Sequence, residues 1–122
     1  MTRILIVDDS PTETLAFASI LKESGHEVLT AADGNEGIKI ACEEIPDLVL
    51  MDVVMPELNG FQATRQLTRN PDTAHIPVVI ITTKNQETDR VWGARQGAKG
   101  YLVKPVGKAL LLSTIAQLLD KR

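Results

Sequence analysis

Carboxylates, a hydroxyl and an amine stand at the ends of short apolar runs in this 122-residue sequence. Five such residues directly follow four of the runs: Asp8 and Asp9 after Ile4–Val7, Asp52 after Leu48–Met51, Thr82 after Val78–Ile81, and Lys104 after Tyr101–Val103. Carboxylates without His or Cys suit a hard divalent cation such as Mg²⁺, with Mn²⁺ as an alternative. An Asp carboxylate can also be the nucleophile that forms an aspartyl-phosphate. The set predicts metal-assisted phosphoryl chemistry, provided that the fold brings these residues together.

The position of each residue suggests its role. Asp52 is the best candidate for the nucleophile because it stands alone at the end of a central strand, which leaves Asp8 and Asp9 to hold the metal. Lys104 offers a positive charge to a phosphoryl group, and Thr82 offers a hydroxyl. Taken singly, each is equally well explained as a solvated strand end. The joint pattern is more informative, because every strand end except the second carries a group that the chemistry needs.

The apolar runs and the segments between them predict the fold. The runs lack polar alternation, as is typical of strands buried on both faces of a parallel sheet, and Glu27–Thr30 is a weaker fifth candidate. Helical periodicity occupies residues 10–25, 33–44, 60–69, 88–96 and 108–119. This alternation predicts a doubly wound parallel α/β fold, in which sites form at the carboxyl ends of the strands.

Local patterns give further expectations about single residues. Ser10, Pro11 and Glu13 predict a capping box at the start of the first helix. Four helical residues are expected to be at least partly buried: Ala16 in the first helix, Cys42 in the second, and Val91 and Ala94 in the fourth. Trp92 is interpreted as a packing residue; its alternative role is an exposed anchor for a partner.

Length and composition exclude several classes of protein. The chain accommodates one domain over residues 1–122, with no output domain. No apolar run approaches the roughly 18 residues of a membrane span, and the N-terminus turns acidic too early for a signal peptide. The net charge of −3 argues against nucleic-acid binding. The single cysteine cannot form an internal disulfide, so a cytoplasmic location is expected.

Four segments of the chain resemble the receiver domain of two-component response regulators, the CheY-like family. They are Ile4–Ser10, Leu48–Gly60, Val78–Thr82 and Gly100–Pro105, and they follow one another in the order and spacing of that family. The resemblance covers essentially the whole chain. It implies a flavodoxin-like (βα)5 three-layer sandwich, whose five-stranded parallel sheet has the strand order 2-1-3-4-5.

The resemblance also implies a role for each residue of the site. Asp52 would accept a phosphoryl group from a phosphohistidine of a histidine kinase or phosphotransfer domain. Asp9, Asp52 and the backbone carbonyl of Val54 would bind Mg²⁺ directly, and Asp8 would act mainly through a metal-bound water. Lys104 would pair with the phosphoryl group. The chain would thus be modified on Asp52 and would catalyse only its own phosphorylation and a slow dephosphorylation.

A switch surface is implied as well. Thr82 would move toward the phosphoryl group and Tyr101 would change rotamer with it. The signal would be presented to an unknown downstream protein by the fourth helix, fifth strand and fifth helix, through Arg90, Ala94 and Tyr101. Structural roles would fall to Pro56, Gly60 and Pro105, with a cis peptide between Lys104 and Pro105.

Several functions are compatible with these residues. Segments 59–67 and 83–97 look like the PilH-type stand-alone regulators of twitching motility, which would connect the chain with type IV pili or phototaxis. The alternatives are a flagellar chemotaxis-type regulator and a phosphate sink in a chemosensory pathway. A different class, an aspartyl-phosphate phosphatase for small phosphoesters, is disfavoured because Val54 stands where a general acid is needed. A nucleotide-binding domain lacks its glycine-rich motifs. We expect a monomer or weak dimer, with no nucleic-acid or membrane partner.

Overall fold

The computed structural model describes residues 2–120, in which five strands alternate with five helices. Met1, Lys121 and Arg122, which the predicted domain includes, lie outside the described residues. The strands are β1 (Arg3–Val7), β2 (Glu27–Ala31), β3 (Leu48–Met51), β4 (Val78–Thr82) and β5 (Gly100–Val103). The helices are α1 (Pro11–Glu23), α2 (Gly34–Glu44), α3 (Gly60–Arg69), α4 (Glu87–Arg95) and α5 (Lys108–Asp120). The predicted elements are all present, and they differ from these only at their ends.

The strands form one parallel sheet in the order β2-β1-β3-β4-β5, which confirms the predicted doubly wound, flavodoxin-like fold. Its register aligns Val7 with Ala31 on one side and with Met51 on the other. Thr82 pairs with Val103 at the end of β4. The carboxyl ends of the strands therefore meet at a single edge, which carries Asp8, Asp52, Thr82 and Lys104 directly after or at the strand ends.

Two apolar layers hold the helices against the sheet. On one face, α1 and α5 bury Phe17, Leu21, Leu111 and Ile115 against alternate residues of the central strands. On the other face, α2 and α3 cover most of the remaining strand residues, and α4 lies over Ile80. Because the strands are buried on both faces, their sequences are continuously apolar, which is the pattern that identified them. Among residues 2–120, no helix is long and apolar enough to cross a membrane.

Helix α4 does not bury the residues that were predicted. Val91 and Ala94 are exposed, and Gly93 faces the sheet instead. A Cβ atom on Gly93 would lie 3.0 Å from Ile80 and 3.2 Å from Tyr101, so the helix backbone lies close to the sheet. The prediction was wrong because periodicity weights large apolar residues, whereas here the contact is made by a residue without a side chain.

Three other burial predictions were also wrong. Ala16 and Cys42 are exposed, and Trp92 is 48% exposed. In α1 the buried face is Phe17, Ala18 and Leu21, one position further along than Ala16 would require. Trp92 is therefore not a core residue.

Candidate functional site

Three carboxylates meet at the carboxyl edge of the sheet. Asp8, Asp9 and Asp52 each offer one oxygen, and these oxygens all lie within 4.8 Å of one another. Asp8 and Asp52 are buried, whereas Asp9 is exposed. β1 and β3 are adjacent in the sheet, so the residues that follow them are brought together although more than forty positions separate them in the chain.

The Lys104 ammonium lies beside these carboxylates and has three acidic partners. Its Nζ is 3.2 Å from Asp8 Oδ2 and 3.3 Å from Asp52 Oδ1, and it also contacts Glu13 Oε2. The peptide from Lys104 to Pro105 is cis. Asp8 is held in turn by its other oxygen, which accepts a hydrogen bond of 2.9 Å from the Ser10 backbone N–H. The predicted nucleophile, a predicted metal ligand and the predicted phosphoryl-binding amine are therefore in mutual contact.

Burial dominates the electrostatics of the two inner carboxylates. It raises the pKa of Asp52 to about 6, although the Lys104 charge acts in the opposite direction; the nearby Asp8 raises it further. Burial also raises the pKa of Asp8, against the hydrogen bond from Ser10 and the charge of Lys104. The single ammonium is thus too little positive charge for this cluster, which favours an additional cation.

The pKa of Glu13, the more exposed acidic partner of Lys104, shifts in the opposite direction. The hydrogen bond from Lys104 lowers the pKa of Glu13, which keeps this carboxylate ionised. For Lys104 itself, burial disfavours the charged form, but the hydrogen bond to Glu13 and the charges of Asp52 and Asp8 outweigh it and raise the pKa. Lys104 is therefore a permanent cation in this site.

The residues fit a hard divalent cation. All three ligand atoms are carboxylate oxygens, they are close enough to share one ion, and the exposed Asp9 leaves a side open to water. Mg²⁺ prefers such oxygens and keeps several waters. The exposed side chain of Val54 is two residues beyond Asp52, on the loop that leaves β3.

Glu13 is a residue of the site that the sequence did not identify. Its side chain was predicted to bond back to the first residue of a capping box. Ser10 does cap α1, since its hydroxyl accepts the Glu13 N–H at 3.3 Å, but the Glu13 carboxylate contacts Lys104 instead. The Ser10 N–H is occupied by Asp8. No local pattern signals a contact between residues 91 positions apart.

A chain of hydrogen bonds connects Thr82 with Tyr101. The buried Thr82 hydroxyl accepts from the Lys84 N–H at 3.3 Å, and the Tyr101 hydroxyl donates to the Lys84 carbonyl at 2.8 Å. The exposed Arg90 places its guanidinium 5.2 Å from the centre of the Tyr101 ring. The backbone of Lys84 is thus the link between two predicted switch residues. Ala94 is exposed on the same helix as Arg90.

The loop after β3 is held close to the site by Gly60. The Gly60 N–H donates to the Val53 carbonyl at 3.0 Å, and Asn59 and Gln62 form a capping box that starts α3. A Cβ atom on Gly60 would lie 2.0 Å from the Asp52 carbonyl oxygen. Pro56 is exposed in this loop, and the next residue has a positive φ of 64°.

The buried Asp52 charge should reduce the stability of the fold. Because its pKa is about 6 in the folded state, above the ordinary 3.8, folding is less favourable when the group is ionised. In metal-free buffer at pH 7.5, we expect Asp52→Asn to raise the free energy of unfolding by about 1–3 kcal/mol. The difference in the free energy of unfolding between Asp52→Asn and the wild type should shrink as the pH falls from 6 to 4, because Asp52 of the folded wild type is protonated in that range. Urea titrations of both proteins measure this difference, and a constant advantage across the range would contradict it.

Comparison with known proteins identifies relatives over nearly the whole chain. The model of the response regulator receiver domain matches residues 4–116. Protein PilH of Pseudomonas aeruginosa is 61% identical over 115 residues, which cover 94% of this chain and 95% of PilH. Response regulator PleD of Caulobacter vibrioides is 38% identical over 116 residues, and the chain spans only 26% of its length. The solved structure of Vibrio cholerae chemotaxis protein CheY4 superposes with a TM-score of 0.92 at 32% identity, over 97% of this chain and 98% of that one.

Proposed function

The chain belongs to the response regulator receiver domain family, and from that premise we propose that it accepts a phosphoryl group on Asp52. The observation that carries this proposal is the contact of Lys104 with Asp52 beside two further carboxylates. The phosphodonor is a phosphohistidine on a histidine kinase or phosphotransfer domain. The bond between the histidine nitrogen and phosphorus breaks, and an Asp52 carboxylate oxygen forms the new bond to phosphorus.

The residues around Asp52 divide the work of this transfer. Lys104 faces the carboxylate and supplies a fixed positive charge for a phosphoryl oxygen. Thr82 lies at the end of the neighbouring strand, and its hydroxyl can donate to a second oxygen once it leaves the Lys84 N–H. Lys104 is thus held beside Asp52 before the donor arrives, whereas Thr82 has to change its hydrogen bond.

Asp9, Asp52 and the Val54 backbone carbonyl are the proposed direct ligands of Mg²⁺ or Mn²⁺, with Asp8 acting through a water. Such an ion, when bound, neutralises the carboxylates and the charge of the phosphoryl oxygens. The support from the structure is the set of three carboxylate oxygens within 4.8 Å. Asp8 keeps its hydrogen bond to Ser10 and so stays aimed at the cluster.

We propose that phosphorylation acts on partners through the surface of α4, β5 and α5. The dianion at Asp52 binds the Thr82 hydroxyl better than the carboxylate does, and this difference is what shifts the equilibrium between two conformations. Since Thr82 accepts the Lys84 N–H and Tyr101 donates to the Lys84 carbonyl, motion of one changes the environment of the other. Arg90 and Ala94 are exposed beside Tyr101 and complete the surface.

The biological role that we propose is control of type IV pilus twitching motility or phototaxis. It is supported by the 61% identity with PilH, which extends over 95% of that protein. On this proposal the domain acts on protein partners, as a monomer or weak dimer in the cytoplasm. An exposed free cysteine is consistent with a reducing compartment.

The proposal predicts that the purified protein labels itself. With acetyl phosphate and Mg²⁺, intact-mass spectrometry should show one added phosphoryl group, about 80 Da, that is absent when EDTA removes the metal. Acetate leaves, and the phosphoryl group is bound to the protein. Mn²⁺ should restore labelling after EDTA treatment. Labelling that is equally fast in EDTA would contradict the metal site, and no labelling under any of these conditions would contradict the proposed function.

A further inference from the structure

The Lys104 ammonium has no free hydrogen-bond donor in the structure. A lysine ammonium carries three N–H donors. Asp8, Glu13 and Asp52 take all three. A phosphoryl oxygen can therefore bind Lys104 only when one of these partners leaves.

The three partners differ in how easily they can leave. The side chains of Asp8 and Asp52 are exposed over only 4% and 9% of their surface, so neither regains water by leaving Lys104, and Asp52 has to stay in place as the nucleophile while the donor approaches. The Glu13 side chain is exposed over 43% of its surface and lies on the first turn of α1. Released from Lys104, its carboxylate returns to water at small cost.

From these contacts we propose that Glu13 is the exchangeable partner of Lys104. It holds and orients the ammonium in the unmodified protein and gives it up to the incoming phosphoryl group. Glu13 is thus a positioning residue that limits binding of the anionic phosphodonor. It occupies one N–H group of the Lys104 ammonium, and its own charge repels the dianion. This inference rests on the proposed function of Asp52, and the experiment below separates the two.

The test is the rate of labelling by acetyl phosphate in Mg²⁺ buffer, measured over a range of donor concentrations. Glu13→Gln keeps the size of the side chain and removes its charge. Its helix cap is retained, because Ser10 accepts the backbone N–H of residue 13 and not its side chain. We expect the apparent second-order rate constant for labelling to rise by about 3–10-fold, because a charged carboxylate no longer competes for the Lys104 ammonium. The gain should appear as a lower half-saturating donor concentration, with the limiting rate little changed.

Two matched variants control for charge and for helix effects. Glu36→Gln removes a carboxylate from the groove that also borders Asp8 and Asp9, without touching Lys104. Glu23→Gln breaks the exposed pair between Glu23 and Lys108, also a Glu–Lys contact made by α1. Both should label within twofold of the wild type, and urea titration should show that all the variants are folded.

The outcomes distinguish the inference from its premise. If the wild type labels and Glu13→Gln labels no faster, or gains only in the limiting rate, the exchange is wrong and the function of Asp52 stands. If Glu36→Gln accelerates labelling equally, the cause is the loss of any nearby negative charge. That result would also contradict the proposed exchange of Glu13 for a phosphoryl oxygen at Lys104. A wild type that does not label would overturn both proposals.

Discussion

Asp52→Asn should lose at least about 99% of the labelling by acetyl phosphate, because an uncharged amide is not a nucleophile toward phosphorus. The substitution keeps the size of the side chain, and in metal-free buffer it should make the folded protein more stable. Urea titration of the variant in the labelling buffer then separates loss of labelling from unfolding. Intact-mass spectrometry at equal protein and donor concentrations measures the labelled fraction.

The matched control for this variant is Asp72→Asn. Asp72 is exposed in the connection between α3 and β4, which enters the sheet at the edge opposite the carboxylates. The same chemical change there should leave labelling at the wild-type level. Undiminished labelling of Asp52→Asn would refute the assignment, and peptide mapping would then show whether Asp8 or Asp9 had been modified in its place.

Gly60→Ala should destabilise the fold by about 3 kcal/mol, which is the upper range for overpacking a well-packed site. Helix propensity alone predicts the opposite sign, since alanine is a better helix former than glycine by about 1 kcal/mol. The added Cβ, however, would lie 2.0 Å from the Asp52 carbonyl oxygen and 2.8 Å from the Val53 Cα. Both contacts are with backbone, so relief requires movement of the segment that carries Asp52.

Labelling should therefore fall together with stability in this variant. Gly107→Ala is the matched control, because a Cβ at that position meets nothing within 4 Å. It should leave both properties near the wild-type values. Urea titrations give the stabilities, and a Gly60→Ala protein as stable as Gly107→Ala would mean that the loop moves away without cost.

The sequence was sufficient for the fold and for the core of the site, and the reason is geometric. Continuous apolar runs identify strands buried on two faces, and a parallel sheet brings their carboxyl ends together, so Asp52 and Lys104 could be placed without coordinates. The contact between Glu13 and Lys104 could not be predicted, because it joins the first helix with the loop after the last strand and competes with a local cap. Likewise, the packing of Gly93 is invisible to a pattern built on large side chains.

The ribosome adds Lys104 only after most of the chain has been made, whereas its acidic partners are the earlier residues 8, 13 and 52. During synthesis, a nascent chain that has not yet released its fifth strand holds a cluster of carboxylates with no amine beside it. Such a chain lacks the ammonium that lies beside Asp52, however well its first strands have formed. On the proposed function, competence for phosphorylation would therefore arrive only with completion of the sheet.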